Sequence, residues 1–469
     1  MPDTTLSRTE FGADHRGSRG RGAPLALSLM MFLQYAVWGV WLPYLAIYLG
    51  APPAEGGLGF TAAQIGWILG LAVSIGAVAA PFVAGQVADR FLNAEKWLGV
   101  LLILGGVVKF ATYYAHEYSS FLSLSILYSV LYMPTLALTN SIAFAHLRDP
   151  ERQFPPVRTW GTIGWIVASN AFPLIWLQTN LQGTWLPPFI AGESKAGRPG
   201  LIADCLRVSG VLAVLYGLWA MLMLPRTPPV PRAERQALAR AFGLLRHPGF
   251  LVCTLAALPI SMIHQVYFIR TGPFLTALGF DEQHAGPIMS IGQFSEIIVL
   301  AVLGFFLARL GYRWILALGA LGYAARFAIF AIATPETREL VVAAMVLHGL
   351  CYGFFFAGAY IYVERVAPKD VRHSAQTVFG IIILGAGPVL AGFYNSWLGD
   401  PGGPAPAGAG WADLWRVQAL VGLGSAGLLA LFFRPGREAE LVRGDEAAPG
   451  PGEPAPAGPV RGDRGRGAR

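Results

Sequence analysis

The sequence predicts an all-α membrane protein with twelve transmembrane helices in two six-helix bundles. Of its 469 residues, 54% are hydrophobic and 13% are charged, whereas a soluble domain carries about 25% charged residues. Apolar stretches of about 20 residues, the length that crosses a bilayer, recur twelve times. A segment rich in proline and arginine, 225–247, divides these stretches six and six.

Each apolar stretch is interpreted as one helix, and the short connections between most of them make neighbouring helices antiparallel. We place the helices at 24–49, 62–88, 97–115, 120–147, 155–178, 203–224, 248–270, 284–309, 313–333, 337–363, 371–398 and 412–434. The first bundle therefore occupies 23–224 and the second 248–436, with 225–247 as a cytoplasmic linker. The tails 1–22 and 437–469 have the polar, low-complexity composition of disordered segments.

The distribution of lysine and arginine predicts the orientation. Basic residues concentrate before the first helix and after every even-numbered helix, and cytoplasmic loops carry this excess. Both termini are thus expected in the cytoplasm of a multi-pass protein of the bacterial inner membrane. The net charge of +7 follows from this orientation, so no nucleic-acid partner is expected. Lys109, in the third helix, is expected to snorkel to the membrane surface.

A weak internal repeat supports the division into halves. Gly85, Asp89 and Arg90 follow the second helix, and a related run, 304–313, follows the eighth. Glycine lets helices approach closely, and an Asp/Arg pair can clamp a helix end to its neighbour. Parallel six-helix repeats occur in transporters that hold substrate near the membrane midplane.

The polar residues inside the helices are the candidates for function. A charged side chain at the middle of a membrane helix costs about 2.5–3.5 kcal/mol, which makes Glu296 the most informative. Gln293 lies three residues earlier, on the same face of helix 8. On helix 5, the spacing of Arg158, Thr162 and Trp165 places a guanidinium, a hydroxyl and a flat ring along one stripe.

Four further polar or aromatic residues are candidate substrate contacts: Gln34, Gln265, His348 and Tyr352. For each of these the alternative is a hydrogen bond or aromatic contact between helices of the bundle. The alternative for Arg158 is a place at the cytoplasmic end of helix 5. Arg326 in helix 9 is a possible structural partner of Glu296, because a buried carboxylate needs a proton, a partner or water.

Other classes of site are not indicated by the sequence. It contains no nucleophile–base arrangement, no metal-ligand spacing and no phosphate-binding glycine loop. The three cysteines fall within apolar runs, where cysteine behaves as a small hydrophobe. We therefore expect neither an enzyme nor a bound cofactor or metal.

Several segments resemble the bacterial nucleoside:proton symporter family of the major facilitator superfamily. The specific matches are 154–164 on helix 5 and 288–296 on helix 8, with supporting matches at 32–42, 132–136, 326–331 and 374–376. In that family, residues of helices 5, 7, 8 and 10 hold the nucleoside between the halves. The resemblance assigns binding to the matching residues Arg158, Thr162, Gln265, Gln293 and Glu296, with Tyr352, Trp165 or both stacked on the base.

The sequence departs from the family pattern at two positions. Gly353 stands where the family has an Asp tied to proton coupling, and Phe268 stands where it has a helix 7 amide. Glu296 is left as the leading carboxylate for proton coupling. The expected function is nucleoside import by proton symport with alternating access, in a monomer. The alternatives are a passive facilitator, a symporter of sugars or another small polar metabolite, and a membrane receptor that transports nothing.

Overall fold

The computed structural model describes residues 23–88, 92–148, 150–183, 190–228, 243–367, 372–399, 401 and 410–435. These residues form long helices and one short hairpin. Within the first half, the helices are α1 (Ala23–Gly39), α2 (Leu42–Gly50), α3 (Ala62–Gly66), α4 (Ala72–Ala88), α5 (Ala94–Thr112), α6 (Tyr118–His146), α7 (Pro150–Trp176), α8 (Arg198–Ile202) and α9 (Asp204–Met223).

The second half also consists of helices. Its helices are α10 (Pro248–Ala277), α11 (Ala285–Ile332), α12 (Glu339–Ala344), α13 (Gly358–Val366), α14 (Arg372–Ile381), α15 (Gly387–Leu398) and α16 (Trp411–Phe432). Short π-helical segments join α3 to α4, α12 to α13 and α14 to α15. They lie at Trp67–Leu71, Leu350–Ala357 and Ile382–Ala386.

Within the described ranges, nine helical segments are long and apolar enough to cross a membrane. One of them, Glu282–Ile332, contains both stretches predicted at 284–309 and 313–333. Gly311 divides it, because its backbone has φ 72° and ψ 169°, a conformation that glycine adopts readily. Helices α5 and α7 are not among the nine, since charged or polar residues interrupt their apolar character.

A proline explains why the first predicted helix is interrupted. The stretch predicted at 24–49 is divided at Val40 and Trp41 into α1 and α2. Pro43 lies in the first turn of α2, where its missing N–H cannot continue the ladder from α1 and its fixed φ suits a helix start. The first predicted helix is therefore interrupted before Leu42.

The connection between α7 and α8 contains structure that the sequence analysis did not predict. Strand β1 (Gln178–Gly183) pairs antiparallel with β2 (Ile190–Ser194), with Gln178 opposite Ser194. The Ser194 hydroxyl lies 3.0 Å from an oxygen of Asp281. The hairpin of the first half therefore contacts the turn that precedes α11 in the second half.

Lys109 does not snorkel, which corrects the expectation from sequence. It is 4% exposed, and its Nζ lies 3.4 Å from the ring centroid of Trp41 and 4.3 Å from that of Tyr128. The ring faces attract the ammonium group. Two aromatic residues from other helices thus let a cation lie inside the first half.

Of the loop motif, Gly85 belongs to the backbone of α4, and Asp89 and Arg90 lie outside the described residues. The same holds for 229–242 of the linker and for the tails 1–22 and 436–469. The roles predicted for these segments remain sequence-based.

Glycine allows close packing within the first half and between the halves. At Gly39, a Cβ would lie 2.6 Å from the backbone oxygen of Trp165, and at Gly164 it would overlap the backbone oxygen of Phe32. These contacts fix α1 against α7. Small residues at helix interfaces let membrane helices approach in this way.

We expect Gly164→Ala to destabilise the protein by about 1–3 kcal/mol, because the new methyl group has no room beside the α1 backbone. Thermal unfolding of the purified protein in detergent would measure the change. Gly424→Ala is the matched control, since a Cβ at Gly424 meets nothing within 4 Å. Equal melting temperatures for the two variants would contradict the packing described here.

Candidate functional site

Helices α7 and α11 bring a guanidinium, a hydroxyl and a carboxylate together between the two halves. Thr162 and Glu296 are buried, with 7% and 6% of their surface exposed, and the Thr162 hydroxyl is close enough to the Glu296 carboxylate to interact with it. Arg158 interacts electrostatically with the Glu296 carboxylate. The polar residues predicted on helix 5, which is α7 in the structure, therefore face those predicted on helix 8, which is the first part of α11.

Arg158 is held by one aromatic residue from each half. Its guanidinium lies 4.2 Å from the ring centroid of Tyr35 on α1 and interacts electrostatically with Tyr352. Tyr352 belongs to the π-helical segment Leu350–Ala357, a feature frequent at functional sites. The sequence analysis missed Tyr35 and named only its neighbour Gln34 as a candidate on this helix.

These groups lie deep in the protein. Glu296 follows the start of α11 by eleven residues, which at 1.5 Å per residue places it about 16 Å along the helix. A bilayer core is about 30 Å thick, so the carboxylate is near its middle. Arg158 is half-buried and points between the halves, so its accessible part faces the space between them. Arg158 lies within α7 rather than at its first residue, and its part in binding stays a prediction.

A second polar group lies beside Glu296 within the second half. The Nε2 of His348 is 3.3 Å from the side-chain nitrogen of Gln293 and 4.0 Å from Oε2 of Glu296. The Nδ1 of the same ring is 2.7 Å from a guanidinium nitrogen of Arg326. Gly292 permits this approach, since a Cβ there would lie 2.8 Å from that of His348. Arg326 thus reaches Glu296 through a histidine rather than directly.

Gln265 joins the halves at another point. Its side-chain nitrogen donates to the backbone oxygen of Leu69 at 2.6 Å. Leu69 lies in the π-helical segment Trp67–Leu71, where the regular backbone bonding pattern is interrupted. Another side-chain contact between the halves, Asn170 Nδ2 to Ser290 Oγ at 3.1 Å, was also missed by sequence analysis.

Gln34 and Trp165 lie apart from the Arg158–Glu296 group. Gln34 is fully buried in the first half and donates to Thr135 Oγ1 at 2.7 Å, while its backbone oxygen accepts from Tyr132. Trp165 is 6% exposed and belongs to the apolar core. In this conformation Gln34 makes the inter-helix hydrogen bond that was its alternative interpretation.

The halves touch closely at one end of the molecule. At Gly66, a Cβ would lie 2.8 Å from the Cβ of Asn395, and at Gly70 it would lie 3.2 Å from the Cα of Gly392. A Cβ at Gly272 would lie 2.9 Å from the backbone oxygen of Pro43. All of these contacts lie on the side of Glu296 where α11 begins. The polar group is thus closed off from that end.

Two pseudo-repeated helical halves with a polar group between them define a secondary transporter of the major facilitator fold. The chain matches the family model described as "Nucleoside H+ symporter" over residues 22–438, and it belongs to that family. As a member, it is a proton-coupled nucleoside transporter that spans the membrane several times.

Similar proteins agree with this assignment. The putative nucleoside transporter YegT of Escherichia coli K12 is 34% identical over 374 residues, covering 78% of this chain and 81% of YegT. The xanthosine permease of the same organism is 26% identical over 444 residues, covering 89% and 98%. The crystal structure of the nucleoside transporter NupG superposes with a TM-score of 0.73 at 26% identity, covering 88% of this chain and 99% of NupG.

The Thr162 hydroxyl should contribute to substrate affinity by orienting the Glu296 carboxylate. Removing a hydrogen bond to a charged group costs about 1.5–3 kcal/mol, so we expect Thr162→Val to raise the KM for nucleoside uptake about tenfold or more. Nucleoside uptake by whole cells at matched expression would measure this change in KM.

Thr159→Val is the control on the same helix. The Thr159 hydroxyl donates to the backbone oxygen of Pro155 at 2.9 Å, so its loss should leave the KM within twofold of wild type, since no site residue depends on it. A similar rise in both variants would mean that threonine loss disturbs α7 in general.

Proposed function

We propose that the chain is a twelve-helix importer that carries nucleosides across the bacterial inner membrane by proton symport, as a monomer. The observation that carries this proposal is the meeting of Arg158 and Thr162 from one half with Glu296 and Tyr352 from the other. Because one chain supplies both sides of the site, a second copy is not needed to complete it. The halves are 23–224 and 248–436, joined by the linker 225–247.

The chemistry of the site suits a nucleoside. Ribose hydroxyls donate to a carboxylate, and base carbonyls and ring nitrogens accept from guanidinium and amide groups. Glu296 is proposed to bind the ribose, with Arg158, Gln265 and Gln293 as polar contacts. The ring of Tyr352 is placed to stack on the base, an interaction worth about 1–3 kcal/mol. Gln34 and Trp165 would contribute only if the first half rearranges.

Glu296 is proposed to be the proton carrier. A carboxylate in a dry site needs a proton, a partner or water, and Arg158 and Thr162 on the opposite half supply the partner in this conformation. When the halves separate, protonation can replace that partner. Binding a proton outside and releasing it inside would then accompany each transport cycle.

The excess of Lys and Arg before α1 and between the halves supports cytoplasmic termini. With that orientation, the closed end formed by Gly66, Gly70 and Gly392 faces outward. The described conformation is then closed to the outside, and transport requires these contacts to open.

We expect Glu296→Gln to abolish uphill uptake of uridine or adenosine in a bacterium that lacks its own nucleoside transport, while exchange of labelled for unlabelled nucleoside persists. An amide can still bind substrate but cannot carry a proton. The measurement is concentrative uptake together with counterflow in proteoliposomes.

Glu339→Gln serves as the control, because Glu339 is exposed and its carboxylate pairs with Arg338 rather than with a residue of the site. Collapse of the proton gradient by an uncoupler should abolish accumulation by the wild type. If the nucleoside only equilibrates across the membrane and the uncoupler has no effect, the result would instead favour the passive facilitator. Wild-type accumulation by Glu296→Gln would refute the role given to this carboxylate.

A disulfide across the closed end should stop transport. In the variant Gly66→Cys/Gly392→Cys, the new Cβ on Gly66 would lie 3.6 Å from the Cα of Gly392, which is close enough for bridging. We expect oxidation to lower the uptake of the double variant to background and a reductant to restore it to the level of the single variants, whose uptake oxidation leaves unchanged. Full activity in a demonstrably bridged protein would rule out opening at this end.

A further inference from the structure

Arg326 is a buried cation with one directed partner. It is fully buried on α11, and its guanidinium lies 4.2 Å from the ring centroid of Tyr267 and 4.8 Å from that of Phe327. Its Nε and one terminal nitrogen have no hydrogen-bond partner among the described residues. The other terminal nitrogen is 2.7 Å from Nδ1 of His348. The ring faces stabilise the charge, and the histidine receives the hydrogen bond.

The contact with Arg326 determines which ring nitrogen of His348 carries the proton. Arginine carries five donors, has no acceptor and stays charged, so Nδ1 of His348 must accept and cannot bear a proton. The neutral ring then carries its proton on Nε2. A proton added to Nδ1 would set two cationic donors against each other at 2.7 Å. His348 is therefore excluded as a proton carrier while Arg326 is in place.

The Nε2–H group in turn fixes the orientation of Gln293. The ring nitrogen lies 3.3 Å from one end of the Gln293 amide, and an N–H group requires an acceptor there. Rotation of the amide by 180° exchanges its carbonyl and NH₂ ends. The carbonyl oxygen, which otherwise has no partner among the described residues, then accepts from His348. The NH₂ group is left for another acceptor.

We infer that Arg326 is a positioning residue that acts through His348 to make Gln293 a hydrogen-bond donor to the substrate. This inference rests on the proposed nucleoside site. It requires the substrate to present an acceptor to Gln293, either a carbonyl oxygen or an unprotonated ring nitrogen of the base. A ligand that offers only a donor at that point would leave two N–H groups opposed and be rejected.

The tautomer can be tested directly on the whole protein. ¹⁵N-histidine NMR of the protein in detergent distinguishes the two neutral tautomers and the cation, and the His348→Gln spectrum identifies the signal. We expect a neutral ring protonated on Nε2 in the wild type, and a population protonated on Nδ1 in Arg326→Gln. A wild-type ring protonated on Nδ1, or a cation, would overturn the inference.

A double-mutant cycle tests the route of action. Arg326→Gln and His348→Phe should each raise the KM for uridine about tenfold with little change in maximal rate, the effect of about one hydrogen bond. The double variant should match His348→Phe alone, because Arg326 has then lost its intermediary. Additive effects would show that Arg326 acts by another path.

Two further variants keep the test decisive. Arg326→Lys retains a donor and should restore most of the affinity even if Arg326→Gln inserts poorly. Arg338→Gln, which removes an exposed arginine bonded to the backbone oxygen of Gly279, should leave KM unchanged. Absence of nucleoside uptake by the wild type would defeat the proposed function, whereas the tautomer measurement would still report on Arg326 and His348.

Discussion

The structure depends on a carboxylate that each half alone would leave unsatisfied. Glu296 is buried near the middle of the membrane, where an unpaired charge costs several kcal/mol. Its contacts with Thr162 and Arg158 come from the opposite half. The free energy of the group therefore depends on how the halves are arranged. Any rearrangement that separates them must supply a proton, water or substrate in exchange, which is the physical basis for coupling binding to movement.

The interface that closes one end is suited to repeated opening. Its closest backbone approaches are at glycines, among them Gly66, Gly70 and Gly392, beside the edge-on rings of Trp67 and Phe393, whose centroids lie 4.8 Å apart. The glycine contacts gain dispersion energy without long side chains that must leave a partner. The polar contacts that cross between the halves, including Gln265 to the Leu69 oxygen, are single hydrogen bonds.

Spacing along single helices predicted the most important part of the site. The i, i+4 relation of Arg158 and Thr162 and the i, i+3 relation of Gln293 and Glu296 are local properties, and the structure brings Arg158, Thr162 and Glu296 together. The periodicity of a helix does not predict which neighbouring helix each of its faces will contact. Gln34 faces Thr135 within its own half, and Lys109 is accommodated by aromatic rings from two other helices. Such partners depend on tertiary packing, which no single helix encodes.

The partner predicted for Glu296 is another tertiary contact that the sequence did not predict correctly. The arrangement found instead has a functional consequence. Arg326 was a reasonable candidate, yet His348 stands between the two side chains. A guanidinium in direct contact would hold the carboxylate ionised and oppose proton uptake. A neutral imidazole offers Glu296 a nearby dipole instead of a full charge, so the permanent cation of the second half stays separated from it. The charge that does reach Glu296 belongs to Arg158, on the other half. The protonation state of the carboxylate can therefore respond to the movement that brings Arg158 close or takes it away.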